Sequence, residues 1–342
     1  MRSVLVTGPG ETTVVDVDAP TAGPRDVLVR VRACGICGSD HMYTTYGGIP
    51  PRQGATPLGH EPAGEVVEVG DEVEGVAVGD HVVINVMATV DGLLGSGDAQ
   101  GELSEYVVLL DAKPGEQFRV VPPHVPFSVA ALNEPMAVAR HAVNRLDPAP
   151  EHRVAIFGAG PIGLGALLSL KRRGVAHVIV IDIVPNRLEK ALALGADAVI
   201  DSRTEDVAAR LIELHGRSTG IGLRGERSST EGYIDAAGAP QVIRTVLGVA
   251  GKRAVLSVVA VHKAPVEIDL GGLLTTELDI RLSMGYPTEI FEVTDDIIDN
   301  WQKYAQIISD EIPFDRVQDA LALAATPGQA EKVVVTFGGE ND

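Results

Sequence analysis

Polar and apolar residues alternate through Asp26-Val-Leu-Val-Arg-Val-Arg32, the period-two pattern of a strand buried on one face. Positions 63–69 and 80–86 read the same way, and Gly70, Gly75 and Gly79 supply turns between them. The first third of the chain is therefore expected to form a compact β-barrel or sandwich. Near Leu132 the pattern changes. Glu134-Pro-Met-Ala-Val-Ala-Arg-His-Ala-Val-Asn-Arg145 is rich in helix formers and carries a proline suited to a first turn. Beyond the Asp147-Pro148-Ala149-Pro150 break, Val154-Ala-Ile-Phe157 is an uninterrupted apolar strand, followed by a Gly-rich turn and a helical run to Arg173. A second apolar strand at 178–181 and a second helix at 185–194 follow. Strand and helix alternating at this pace predict βαβ units and a parallel sheet covered on both faces. Further strands are expected at 198–200, 233–234 and 254–261. The Gly-, Ser- and Arg-rich stretch 217–230 reads as an exposed loop, and the polar tail after Phe337 is expected to fray.

At 342 residues the chain exceeds what one ordinary core absorbs, so two domains are expected. With 45% apolar and 22% charged residues, a wholly disordered chain is excluded. Acidic residues number 47 against 28 basic, a formal charge of −19 that repels phosphate backbones and anionic lipid. Neither a nucleic-acid nor a membrane partner is expected. The start, MRSVLVTG, lacks the apolar core of a signal peptide, and no apolar run reaches bilayer length, so a cytoplasmic location is expected. Cys34 and Cys37 are the two cysteines of the sequence, too few for a disulfide framework.

Gly158-Ala-Gly160-Pro161-Ile162-Gly163 fits the G-x-G-x-x-G pattern between an apolar strand and a helix. Glycine allows the tight turn and the close approach of a pyrophosphate, and the helix start offers unpaired N–H groups to its charge. Pro161 gives up only an amide that needs no intrahelical partner. Asp182 closes the next strand, 19 residues past the last glycine, where a carboxylate accepts hydrogen bonds from a ribose. A 2′-phosphate would meet a like charge there, which favours NAD over NADP. Arg187 either stacks near the adenine or solvates its helix.

Cys34-Gly-Ile-Cys37 admits three readings: a redox dithiol, half of a four-cysteine zinc knuckle, or one ligand beside a bystander. The knuckle fails for want of further cysteines. Gly59-His60-Glu61 follows 23 residues after Cys37, putting a thiolate, an imidazole and carboxylates within one short-strand region. Zinc takes S, N and O donors together. A lone histidine is also commonly structural, and the residues by themselves leave both readings open.

The strings GHEPAGEVVEVGDEV, ACGICGSDHMY, NEPMAVARHAV, VAIFGAGPIGL and LGADAVID occur in one order across almost the whole chain. Together they resemble the zinc-containing medium-chain alcohol dehydrogenases, most closely the sorbitol and butanediol dehydrogenase branch through Glu134-Pro135. The resemblance implies an α/β protein with a GroES-like catalytic domain at 1–140 and 284–342 and a Rossmann domain at 141–283. It implies hydride transfer between NAD and a secondary alcohol, diol or polyol, or a ketone in reverse, through a zinc-bound alkoxide, by a homodimer or homotetramer. Cys37 and His60 would be zinc ligands, with Glu61 a ligand or exchangeable neighbour and Glu134 a ligand or the holder of its water. Asp40 would orient His60, Ser39 would pass the substrate proton outward, and Cys34 would be packing. A zinc-independent reductase of the same superfamily, or a non-catalytic cofactor-binding protein, is the alternative.

Three departures qualify the resemblance. The lobe that holds a structural zinc in relatives is shortened to 87–101 and has no cysteine, so one zinc per chain is expected. Met42 stands where many relatives place a relay histidine, and His41, one position early, would face the other side of a strand. Tyr43 and Tyr286 look like the pocket tyrosines of sorbitol dehydrogenase, but Gly285 replaces its pocket arginine, which makes a smaller diol or secondary alcohol as suitable as a long polyol.

Overall fold

The structure is a computed structural model that describes residues 1–50, 52–218, 225–326 and 328–338. It separates into two compact units, Met1–Glu134 with Ile290–Asp342, and Pro135–Glu289. The joints fall at 134/135 and 289/290, where the sequence placed them at about 140 and 284.

The first unit is built on a seven-stranded sheet. Its path runs Asp310–Pro313, Val333–Thr336, Val27–Gly35, Pro62–Val69, His81–Ile84 and Phe118–Val121, and Tyr106–Leu109 also pairs with Val27–Gly35. Alternation explains the central strand: Val27, Val29, Val31 and Ala33 are fully buried, whereas Arg30 and Arg32 on the opposite face are partly exposed. Gly64 lets two strands close, since a Cβ there would stand 2.4 Å from the Arg30 carbonyl oxygen. The chain re-enters this unit through the helix Ile290–Ala305. It then lays Val333–Thr336 antiparallel to Val27–Gly35, so its two ends share one sheet.

The second unit is a six-stranded parallel sheet in the order Ala198–Asp201, His177–Asp182, Arg153–Phe157, Gly232–Asp235, Val255–Val258, Asp279–Leu282. Sequence order reverses at Arg153–Phe157, the doubly wound arrangement whose switch point receives nucleotides at the carboxyl edge. Val178, Ile179 and Val180 are all fully buried, as a strand covered on both faces requires. The strand expected over 254–261 is only Val255–Val258. The N–H groups of Val259 and Ala260 both turn to the Asp235 carbonyl, at 3.1 and 3.0 Å, which ends the ladder. Of the expected loop 217–230, residues 219–224 lie outside the described residues, and Arg217 bridges Ser228 across the rest. The tail expected to fray is described only to 338. Among the described residues no helix is long and apolar enough to cross a membrane.

At the opposite, amino-terminal edge of this sheet His215 is buried. Its Nδ1 lies 2.7 Å from Thr230 Oγ1 and its Nε2 3.0 Å from His177 Nδ1. Burial, with the nearby His177 and Arg153, lowers its pKa to about 4. The unfolded chain binds that proton more readily, so this contribution is complete above the ordinary value of about 6.5 and is lost as pH falls toward 4. Between pH 7 and pH 5 the loss should be about 2 kcal/mol. Urea unfolding at both values should show a smaller acid loss in His215→Gln than in the parent; equal slopes would assign the acid sensitivity elsewhere.

Candidate active site

Cys37 is the N-cap of the helix Gly38–Tyr46. Asp40, fully buried in the first turn, accepts the Cys37 backbone N–H at 2.9 Å through Oδ2, while its Oδ1 lies 3.4 Å from His60 Nδ1. One carboxylate thus fixes the backbone of one candidate ligand and faces the ring of the next. Ser39 Oγ stands 3.2 Å from the other ring nitrogen, Nε2. His60 is delivered by a tight backbone approach: Gly59 has φ +94°, and a Cβ on it would lie 2.3 Å from the Leu103 nitrogen. The ligand atoms of Cys37, His60 and Glu61 all fall within 4.8 Å of one another, and among the described residues they form the one such group. Glu134 is not part of it. The segment after Cys37 is a helix, not a strand, because Asp40 caps it. His41 and Met42 are exposed on its surface and Tyr43 is partly buried.

Two further groups shape the site. Lys332 Nζ donates to Glu61 Oε2 and to the Ile36 carbonyl at 3.0 Å; its side chain is 3% exposed and that of Glu61 1%. Glu102 is wholly buried with neither carboxyl oxygen hydrogen-bonded among the described residues, and burial pushes its pKa well up. Neither was legible as a site residue: Lys332 reads as the polar start of an apolar strand, and Glu102 as a surface residue of a Gly-containing loop. Glu134 lies in the first turn of the helix Asn133–Leu146, next to Asn133, whose amide donates to the Ile290 carbonyl at 3.0 Å and accepts from Thr294 at 2.7 Å. Burial, reinforced by Glu61 and Asp40 and opposed by His60 and Lys332, pushes the Glu134 carboxyl up to about 8. Burial works against charge on His60, yet Asp40 and Cys37 hold its pKa well above the ordinary histidine value. The site therefore concentrates Asp40, Glu61, Glu102, Glu134 and a thiol against one lysine and one imidazole. Soft sulfur, imidazole nitrogen and carboxylate oxygen in such surplus of acid suit a zinc ion. Cys34 is buried in the core, and desolvation raises its thiol pKa well above normal, which makes it inert packing.

In the second unit, the Gly-rich turn has the features its sequence demands. Gly158 has φ +101°, and a Cβ on Gly163 would lie 1.8 Å from the Gly158 carbonyl oxygen. A Cβ on Gly160 would meet nothing within 4 Å, so that face of the turn is open. Pro161 begins the helix Pro161–Arg172, with Ile162 behind it, partly exposed. Asp182 accepts N–H bonds from Ala159 (2.6 Å), Ile183 (2.6 Å) and Val184 (2.9 Å), which leaves capacity for about one more donor on a carboxylate with roughly four acceptor sites. Arg187 lies on the following helix, Pro185–Ala193, partly buried.

The chain matches two family models, the alcohol dehydrogenase GroES-like domain over residues 23–114 and the zinc-binding dehydrogenase over residues 161–301. It is 32% identical over 295 residues to (R,R)-butanediol dehydrogenase of Bacillus subtilis (strain 168), covering 79% of this chain and 80% of that protein. The chain belongs to the zinc-binding dehydrogenase family. As a dehydrogenase of this family it carries out nicotinamide-linked oxidoreduction of alcohols. The crystal structure of 2R,3R-butanediol dehydrogenase from Bacillus subtilis superposes with a TM-score of 0.84 at 25% identity, covering 98% of this chain and 99% of the other. An alcohol dehydrogenase, RspB, from Escherichia coli CFT073 in complex with NADH gives a TM-score of 0.83 at 26% identity, with coverage of 98% and 99%. Of the two tyrosines expected in the pocket, Tyr43 lies in the first unit of the dehydrogenase and Tyr286, buried, in the second.

The buried pair offers a direct test. Lys332→Met leaves Glu61 buried without its ammonium partner, which should cost about 3–5 kcal/mol in urea unfolding. Adding Glu61→Leu should recover most of that loss; a single variant as stable as the parent would show that the pair contributes nothing.

Proposed function

We propose that the dehydrogenase transfers hydride between NAD and a secondary alcohol, vicinal diol or polyol, the corresponding ketone being the reverse substrate. The observation that carries this reading is the convergence of Cys37, His60 and Glu61 within 4.8 Å beside Ser39. Those three residues would hold one zinc ion per chain, which supplies the positive charge that polarises a substrate oxygen. Asp40 holds His60 in its tautomer and orientation from the Nδ1 side. The Ser39 hydroxyl takes the proton that leaves the alcohol and hands it outward. Glu134, desolvated near Glu61 and His60, would be a further zinc ligand or hold the water of the zinc. Tyr43, in the unit that carries the donor set, would contact the substrate, the part that the resemblance also gives to Tyr286. With Gly285 in place of a cationic anchor, short diols are favoured over long polyols.

For the cofactor, Gly158, Gly160 and Gly163 receive the pyrophosphate with Pro161 and Ile162 opening the helix, Asp182 binds the adenosine ribose and Arg187 flanks the adenine. Copies would associate as a homodimer or homotetramer through the edge strand Asp279–Leu282, whose last residue, Leu282, and the following Met284 are 72% and 87% exposed.

NADH formation should be measured over secondary alcohols, vicinal diols and polyols, with and without a zinc chelator. Chelation should abolish turnover, and Cys37→Ala should lose both zinc and activity; a Cys37→Ala protein with full zinc and normal rate would overturn the site. Asp182→Asn removes the charge facing a 2′-phosphate. It should weaken NAD about tenfold while leaving NADP unchanged or tighter, as binding titrations will show. Equal losses for both cofactors would remove the ribose role.

A further inference from the structure

Arg2, Arg30 and Arg32 meet in the first unit around a cavity of about 650 Å³, in a chain with 47 acidic against 28 basic residues. Local geometry brings them together. Arg30 and Arg32 are two apart on Val27–Gly35, so they share the face opposite the buried Val29 and Val31. Tyr106 stands directly across from Arg30 in the neighbouring strand, and Arg2 opens the strand Arg2–Gly8. The returning chain closes the remaining side with Phe314 and Phe337, whose rings stack with centroids 4.6 Å apart. None of these residues belongs to the donor set of Cys37, His60 and Glu61.

How each guanidinium is held decides what the cavity can take. Arg2 is neutralised: its Nε donates to Glu105 Oε1 at 3.0 Å and its Nη1 to Asp315 Oδ1 at 2.6 Å. Arg32 has Nη1 3.8 Å from Glu65 Oε2 and its Cζ 5.7 Å from the Phe127 ring centroid. Arg30 differs. Its Cζ lies 5.7 Å from the Tyr106 ring centroid, and among the described residues no carboxylate pairs with it. An aromatic face holds a guanidinium through its quadrupole and leaves the positive charge in place. The cavity therefore carries one half-buried cation without a counter-ion. Glu105 and Asp315 line the same cavity, so a dianion meets twice the repulsion that a monoanion does. The planar fork of an arginine also matches the two oxygens of a carboxylate. Tyr106, Phe314 and Phe337 add an apolar wall, and the volume lies in the range of small-molecule sites. The contacts of Arg2 with Glu105 and Asp315 tie three segments around the space, which spares a ligand the cost of ordering them.

We infer that this cavity is a second small-molecule site of the chain. It binds an organic monocarboxylate with a compact apolar body, whose carboxylate accepts from the Arg30 guanidinium.

Benzoate is the probe, titrated into the whole protein by calorimetry near pH 8, where inorganic phosphate is a dianion. Benzoate should bind the parent. Benzyl alcohol, which lacks the charge, and phosphate, which exceeds it, should each bind about tenfold more weakly or less. Arg30→Gln should weaken benzoate about 10-fold or more, the range of a hydrogen bond to a charged group. Arg30→Lys keeps the charge without the fork and should fall between the two; it carries the test should the glutamine variant fail to fold. A parent that does not bind benzoate would overturn the proposal. Binding that both Arg30 variants leave unchanged would do the same, because the carboxylate would then rest elsewhere, as on the donor set of Cys37 and His60. Phosphate bound as tightly as benzoate would overturn the choice of a monocarboxylate.

Discussion

A lysine and a glutamate buried together at the end of a β-strand are the constraint on which the catalytic unit turns. Lys332 Nζ reaches both Glu61 and the Ile36 carbonyl, and its own backbone N–H is taken by Ser309 Oγ at 3.2 Å. Each charge would be costly alone in that interior, and each is tolerated because the other is present. The contact joins residues 271 apart in sequence. Glu61 meets its ammonium partner through the segment after Ile290, which adds Val333–Thr336 to the sheet of the first unit. Gly35 is bound by the same constraint, since a Cβ there would fall 2.0 Å from Glu61 Oε2 and 2.9 Å from Lys332 Cε.

Much of this was legible in the residues. Alternation located the central strand of the first sheet, because one face is core and the other is not. Continuous apolar runs located the parallel strands, because both faces are covered. The Gly-rich turn was legible because its backbone conformation excludes other residues at Gly158 and Gly163. Cys37, His60 and Glu61 were visible as a set through resemblance more than through spacing, since turn-rich chain separates Cys37 from His60.

What escaped detection shares a physical cause. The helix Gly38–Tyr46 has no apolar stripe, and its start is set by a Cys-x-x-Asp cap that ordinary N-cap preferences do not suggest. The strand after Ala254 stopped early because the Asp235 carbonyl, distant in sequence, captures two amides. Lys332 and Glu102 are polar residues whose meaning lies in burial, and burial of an isolated polar residue follows from tertiary contacts that no local pattern encodes.

The same distinction explains how charge is distributed. An excess of acid spread over a surface keeps a protein soluble and screened by salt, and composition registers it as net charge. The acid around Cys37 and His60 is different in kind. Asp40, Glu61 and Glu102 have almost no exposure, so salt does not relieve their repulsion; burial raises the pKa values of Glu102 and Glu134, and the neighbouring carboxylates add to it. Lys332 neutralises one carboxylate and leaves the rest. A fold that gathers thiol, imidazole and surplus carboxylate away from water is stable in its charged form only with a further cation among them. The donor set and the buried charge therefore call for the same ion, one through ligand chemistry and the other through electrostatics.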